Sequence, residues 1–283
     1  MDYADYNILH INADGGIVQV EIDHPPVNLL DTDLMSELAR FVEQIRADES
    51  ARVIVFYSAD DTFFIAHGDM NFIANPELLA DQARNQDSDA PINPMQQLNE
   101  AVRSLPQVTI AKLAGLARGG GLEFAMAMDL RFAAKGRAGF AQNETPIGII
   151  PGGGGTQYLT RLVGRAKALE IILGADLIGA EAAERMGLIN RALSSDELGS
   201  FVDDLARRIA SLPPGVVKAS KDAVNAAADG PIGEGLAEEN RQITLLAMRP
   251  VAAELNRAML DAGAQTREGE VNLEDLARKL SPR

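Results

Sequence analysis

The sequence predicts an α/β body followed by an all-helical last third, and three observations carry that prediction. Over roughly the first 195 residues, short apolar stretches of strand character take turns with stretches that place apolar residues on one helical face. Glycine-rich breaks sit directly behind several of the strand-like stretches. From about Asp196 onward no convincing strand remains, only helical segments separated by Pro213-Pro214, Gly230-Pro231 and Arg249-Pro250. The alternation sets the α/β class without fixing its topology.

The elements follow in order. Gly16 to Asp23 (GIVQVEID) alternates apolar and polar residues, as a half-buried strand does, and His24-Pro25-Pro26 stops it. Asp31 or Thr32 can cap a helix whose Leu34, Leu38, Phe41, Val42 and Ile45 share one face. Arg52 to Ser58 is an apolar, β-branched second strand, and a loop runs through Phe64 to Met70. The polar stretch near Ala80 to Pro94 reads as a mobile loop or a short exposed helix. Helix returns over Met95 to Ser104, ended by Pro106, and Val108 to Ala114 is a third strand. Gly115 to Gly121 leads into helix over Leu122 to Met128, then strand over Leu130 to Ala134. Thr156 to Leu173 reads as helix, Ala180 to Met186 as a short helix closed by Gly187, and Leu188 to Leu193 as a last strand. Asp196 to Leu212, Gly215 to Ala228, Gly235 to Met248 and Pro250 to Ala262 are successive helices.

Composition narrows the function classes. With 283 residues and 46% apolar content, the chain can bury a large core without staples. No window approaches the roughly 18 to 20 apolar residues of a membrane helix, and Met1 to Asn12 carries no basic region of a signal or transit peptide. Cysteine is absent and the three histidines are scattered, so no disulfide, thiolate chemistry or metal site is expected. A net charge of −15 with no basic, aromatic-interleaved stripe argues against nucleic acid and anionic membranes as partners. The cytoplasm is the expected location.

Three glycine-rich places bear on chemistry. Phe63 to Met70 (FFIAHGDM) follows a strand, and its small residues let a ligand approach the backbone. Ala114 to Glu123 (AGLARGGGLE) opens a helix with a triple glycine, where unpaired N–H groups favour negative charge. Phe140 to Pro146 (FAQNETP) leads to Gly148 and to Pro151 to Thr156. By itself, Glu123 is a first-turn glutamate that suits its helix dipole, and Glu144 a solvated loop carboxylate. The Gly152 to Gly155 run lacks the lysine of a phosphate-binding loop and reads as a turn feeding a helix.

Taken together, these blocks resemble the enoyl-CoA hydratase/isomerase (crotonase) superfamily. The resemblance spans about Gly16 to Ala228 and is densest between Gly115 and Ala182, with Glu144 to Arg161 (ETPIGIIPGGGGTQYLTR) as its strongest block. It implies a crotonase-like ββα spiral core over residues 1–195. The helical C-terminal region, residues 196–283, would serve oligomerisation and form an active-site lid. Its implied reaction is reversible addition of water across the 2,3 double bond of a 2-enoyl-CoA thioester. No cofactor is implied, coenzyme A being part of the substrate.

The resemblance also places residues. It puts one oxyanion-hole N–H on Ala66, as the alanine before a Gly-x-Asp turn, and the other on Gly120, the middle glycine of the triple. Glu123 and Glu144 match the two hydratase carboxylates; Glu144 is expected to deliver a proton and Glu123 to orient the water, the alternative being that both act on one water. Ile65, His67, Gly68, Asp69, Met70 and Gly119 are the implied substrate-binding positions, His67 as a pocket wall rather than a catalyst. A homotrimer or dimer of trimers is implied through the C-terminal helices. Relatives that isomerise, hydrolyse or decarboxylate often keep one glutamate or neither, so the presence of both favours hydration; those reactions are the alternatives, beside a non-catalytic acyl-CoA-binding protein. Three departures stand out. Met70, Asn71 and Phe72 replace the usual basic residue after the aspartate, Asn143 replaces a common proline, and the tail Glu270 to Arg283 lacks the usual aromatic- and lysine-bearing motif.

Overall fold

A computed structural model describes residues 3–75, 77 and 91–280 of the chain. The reading of the polar stretch near residues 80–94 therefore lies, up to residue 90, outside the described residues. Two sheets form the body. The larger has six strands in the order β1-β2-β3-β5-β7-β10: β1 (Leu9–Asp14), β2 (Ile17–Ile22), β3 (Val53–Ser58), β5 (Val108–Leu113), β7 (Leu130–Ala134) and β10 (Arg191–Leu193). The smaller has four in the order β4-β6-β8-β9: β4 (Phe63–Ile65), β6 (Leu116–Arg118), β8 (Gly139–Ala141) and β9 (Ile178–Gly179). Each turn of the chain lays a strand in the large sheet, then a strand in the small one, then a helix. The pairs β3/β4, β5/β6 and β7/β8 repeat this path with parallel neighbours, and so build a ββα spiral.

Period-two burial orients the large sheet. In β3, Ile54 and Phe56 face the main core while Val53 and Val55 face a second cluster with Ile110, Phe132, Leu198, Val202 and Ala206. That second cluster seats the helix Ser195–Ala210 on the outer face of the sheet. On the inner face the helix Thr32–Arg46 buries Leu34, Leu38, Phe41, Val42 and Ile45, and Asp31 caps it by accepting from the N–H groups of Asp33 and Leu34. Phe41, Phe56 and Phe124 stack edge to face, with centroids 5.9 and 5.6 Å apart, and pin the helix Gly120–Ala127 to this core.

The strands over Gly16 to Asp23, Arg52 to Ser58, Val108 to Ala114 and Leu130 to Ala134 form as expected, within a residue or two. Three expectations change. Thr156 to Leu173 is two helices, Gly155–Val163 and Arg165–Gly174, because Gly164 takes φ 79° between them. The last strand shortens to Arg191–Leu193. The stretches read as loop around Phe64 and as glycine linker around Gly115 each contain a strand of the second sheet.

The helix Val216–Asp229 reaches back to the body through a buried ion pair. Lys221 Nζ donates to Asp129 Oδ2 at 2.7 Å and to the Gln107 carbonyl at 3.0 Å, and Asp129 also accepts from the Thr109 N–H at 2.8 Å. Burial pulls the Lys221 pKa down, and Asp129 opposes that shift. Because the Asp129 side chain keeps 21% exposure, Lys221→Ala is expected to cost about 2 kcal/mol, below the range for a wholly buried pair. The fall in urea midpoint at constant slope measures it, and a midpoint matching the wild type would refute the role given to this pair.

Candidate active site

The site is built at the N-terminus of the helix Gly120–Ala127, and each glycine of the triple has its own reason. Gly119 takes φ 47° and ψ −125°, a conformation strained for any L side chain, and a Cβ there would lie 2.8 Å from Glu144 Oε1. A Cβ on Gly120 would meet Met95 Cε at 2.7 Å, Leu30 Cδ2 at 3.1 Å and the Gly68 nitrogen at 3.5 Å. One on Gly121 would lie 2.4 Å from the carbonyl oxygen of Ile65, at the end of β4. Glycine therefore lets the helix end close on the strand that carries the first glycine-rich block. Gly120 is the first residue of its helix, so its N–H has no partner within it.

The Ala66 assignment needs correction. The Ala66 N–H donates to the Val27 carbonyl at 3.2 Å, and the residue is buried, 3% exposed, behind the cavity. Around the next residues the chain pairs with Leu30: the Leu30 N–H reaches the His67 carbonyl at 3.0 Å and the Asp69 N–H reaches the Leu30 carbonyl at 3.1 Å. In such a bridge the N–H between those two groups points the other way. It belongs to Gly68, and the Gly68 nitrogen is the atom that faces Gly120. Ile65 is corrected for a related reason: it is fully buried, its carbonyl and side chain packed on Gly121. Buried Asn28 sets this geometry, its Nδ2 donating to the Ile22 carbonyl, Ser58 Oγ and the Phe64 carbonyl at 3.3, 2.8 and 3.2 Å.

A cavity of about 900 Å³ opens over this helix end. His67, Gly68, Asp69, Met70, Gly119, Gly120, Glu123 and Glu144 all line it, so eight of the ten expected site residues come together. Apolar Leu30, Met35, Phe72, Ile147 and Ile150 make up much of the remaining wall, and Asn143 also faces it. The lining holds no lysine or arginine among the described residues. His67 Nδ1 lies 2.8 Å from the Gly68 carbonyl, which can only accept, so Nδ1 carries the proton. Asp69 turns its carboxylate to the N–H and Nδ2 of Asn71.

The two glutamates differ in environment. Glu123, 2% exposed, accepts on Oε1 from the N–H groups of Gly153 and Gly155, both at 2.7 Å. Burial pushes its pKa up, and the two N–H partners act against that shift. Glu144 stands at the start of the short 3₁₀ turn Thr145–Ile147, which Thr145 Oγ1 ties to the Ile172 carbonyl at 2.7 Å. Burial, then the charge of Glu123, push Glu144 up to about 7. Gln142 is wholly buried beside it. With its amide nitrogen turned to the carboxyl group it donates at 3.0 Å to Oε2 and 3.1 Å to Oε1. Residues the sequence reading did not single out, Gln142, Met95, Asn93 and Asn99, complete the surroundings. Only Gln142 left a signal, since two residues before Glu144 on an extended chain is the same face.

Two sheets wound by a repeating strand–strand–helix path are the fold of a crotonase-type enzyme, and here two carboxyl groups stand over one apolar-walled cavity. Residues 12–248 match the family model described as enoyl-CoA hydratase/isomerase, and the chain belongs to that family. A short-chain-enoyl-CoA hydratase of Clostridium acetobutylicum is 31% identical over 235 residues, which cover 83% of this chain and 87% of that one. A solved enoyl-CoA hydratase structure from Bacillus anthracis matches with a TM-score of 0.82 at 28% identity, covering 90% of this chain and 97% of that one. A Streptomyces avermitilis protein, described provisionally as an enoyl-CoA hydratase, is 45% identical, covers 97% of this chain and 98% of its own, and has a TM-score of 0.73.

Gly121→Ala tests the seating of the helix. The added methyl group meets backbone rather than a yielding side chain, so a loss of about 1 to 3 kcal/mol is expected. Denaturant unfolding measures it, and an unchanged midpoint would mean the helix end is not held against β4.

Proposed function

We propose that this chain is a 2-enoyl-CoA hydratase whose oxyanion hole is formed by the N–H groups of Gly68 and Gly120. The single observation that carries this reading is the pair of unequal glutamates in one cavity, one fixed by two backbone N–H groups and the other pushed up to about 7. The thioester oxygen lies against the two amides, which stabilise it as charge collects there. One such donor in a dry site is worth about 3 to 4 kcal/mol. Glu123 holds the attacking water, its charge keeping the shared proton on Glu144. Water oxygen bonds to Cβ, Glu144 gives its proton to Cα, and the proton lost by water goes to the carboxyl pair. Atoms and charge balance within the chain's own groups, with no metal or redox cofactor written into any step.

The apolar residues exposed on the C-terminal helices, among them Ile232, Leu236, Ile243, Leu245 and Met248, support assembly as a trimer or dimer of trimers. Sedimentation at micromolar concentration checks this, and a monomer would refute it.

Loss of the conjugated-thioester absorbance of crotonyl-CoA and longer 2-enoyl-CoAs is the direct test, with product mass rising by one water. Glu144→Gln is expected to lower kcat by about 10²- to 10⁴-fold. Turnover unaffected by that change, or none with any chain length, would count against the proposal. The sign of the pH dependence follows from Glu144. Protonated Glu144 serves hydration, so kcat for hydration falls as pH rises through about 7, while the reverse dehydration gains over the same interval. Stability moves too: the native state keeps this proton up to about 7, so its contribution is full below the ordinary carboxylate range and lost as pH rises through about 7. Flat profiles in both directions would remove Glu144 from the proton transfer.

A further inference from the structure

Glu123 is held by a glycine turn, and that turn is itself held from behind by two asparagines. Asn93 Nδ2 donates to the Gly152 carbonyl at 2.9 Å, and Asn99 Nδ2 donates to the Gly153 carbonyl at 2.7 Å. Both come from one helix: Asn93 is the cap and Asn99 the sixth residue of Pro94–Arg103. The Gly152 carbonyl and the Gly153 N–H belong to one peptide unit. A donor on that oxygen polarises the N–H that reaches Glu123 Oε1. Asn99 secures the next peptide unit, so the turn cannot rotate its N–H groups off the carboxylate without breaking a buried bond. Met95, on the same helix, packs against Gly153, where a Cβ would lie 2.6 Å from its Cε and 2.8 Å from Glu123 Oε2.

Stability pulls both ways on an asparagine at this place. Asn99 is fully buried, and its Oδ1 has no hydrogen-bond partner among the described residues. An orphaned acceptor is destabilising, and a leucine of similar size would have none of its own but would orphan the buried Gly153 carbonyl instead. What the amide supplies is the donor on Gly153.

We propose that Asn99, seconded by Asn93, is a positioning residue for Glu123: it fixes the glycine turn so that two N–H groups stay on Oε1 and Oε2 is left for the attacking water. This rests on the hydratase reading of the site. The groups facing Glu123 are Glu144 from the turn behind β8 and Tyr158 from the helix Gly155–Val163. Behind Tyr158 stand Glu100, which accepts its hydroxyl at 2.7 Å, and Arg103, paired with Glu100. Neither substitution below removes or adds a titrating group among them, so a moved titration of Glu123 reports the N–H bonds.

The test uses the full chain with Asn99→Leu and Asn93→Ser. Serine keeps an oxygen to cap the helix while removing the amide donor. The Glu123 side-chain carboxyl is followed by ¹³C NMR titration, its signal assigned by its loss in Glu123→Gln. With donors loosened, the charged form is less favoured, so the Glu123 midpoint rises in Asn99→Leu and rises less in Asn93→Ser. For crotonyl-CoA, kcat falls about tenfold in Asn99→Leu with KM within about twofold, the acid limb of kcat follows the NMR midpoint, and the melting temperature changes little, one orphaned acceptor replacing another. Unmoved midpoints in both variants overturn the proposal, as does a loss of kcat in Asn99→Leu that no shift of the Glu123 midpoint accompanies. If Asn99→Leu does not fold, the Asn93→Ser midpoint decides. If the wild type hydrates no 2-enoyl-CoA, the hydratase reading fails, while the titration still decides whether Asn99 positions Glu123.

Discussion

The closure of one helix end on one strand end governs the rest of this molecule. Helix Gly120–Ala127 stands with Gly121 against the Ile65 carbonyl, an approach no larger residue permits. Phe124 holds the same helix from the other side through its edge-to-face contact with Phe56. Because Gly120 and Glu123 lie within one turn of each other on a rigid element, placing the helix places both an amide and a carboxyl group at once. The far end of the helix is covered by Arg131, wholly buried, whose guanidinium donates to the Met128 and Leu188 carbonyls. Burial pulls its pKa down to about 10, which leaves it charged at neutrality and matched to the negative end of the helix.

Two acids in a largely apolar cavity would raise one another's pKa and blur their roles. The fold separates them by giving each a different set of donors. Glu123 receives two main-chain N–H groups from the start of the helix Gly155–Val163, where unpaired amides and the dipole favour a negative charge. Glu144 stands on a 3₁₀ turn with Gln142 beside it, and meets the charge of its partner. A side-chain amide can turn either end to a carboxyl group, so Gln142 suits Glu144 both ionised and protonated. Main-chain N–H groups can only donate, which favours the ionised form, and they stand on Glu123.

Much of this was legible in the chain because the long elements announce themselves locally. The apolar face from Leu34 to Ile45, the alternation of Ile17 to Ile22 and the closing Gly187 each signal through their own neighbours. The second sheet did not. Its strands FFI, LAR and GFA are three residues each and mostly buried, and a period of two cannot be read over so short a run. The choice between Ala66 and Gly68 was equally hidden, because the Ala66 N–H is consumed by Val27, nearly forty residues upstream. Asn99 looked like one polar residue on an amphipathic helix, and nothing near it in sequence points to Gly153.

The amino-acid sequence determined the α/β class, the helical last third, the family resemblance, and the two glutamates set in a glycine frame. Those are properties of residue type and local spacing, which survive in one dimension. The tertiary structure decided which amide is already engaged, which donors surround each carboxyl group, and which side chains hold them there. Each of these depends on what a group's hydrogen-bonding neighbours are and how much water they exclude, and those neighbours come from distant parts of the chain.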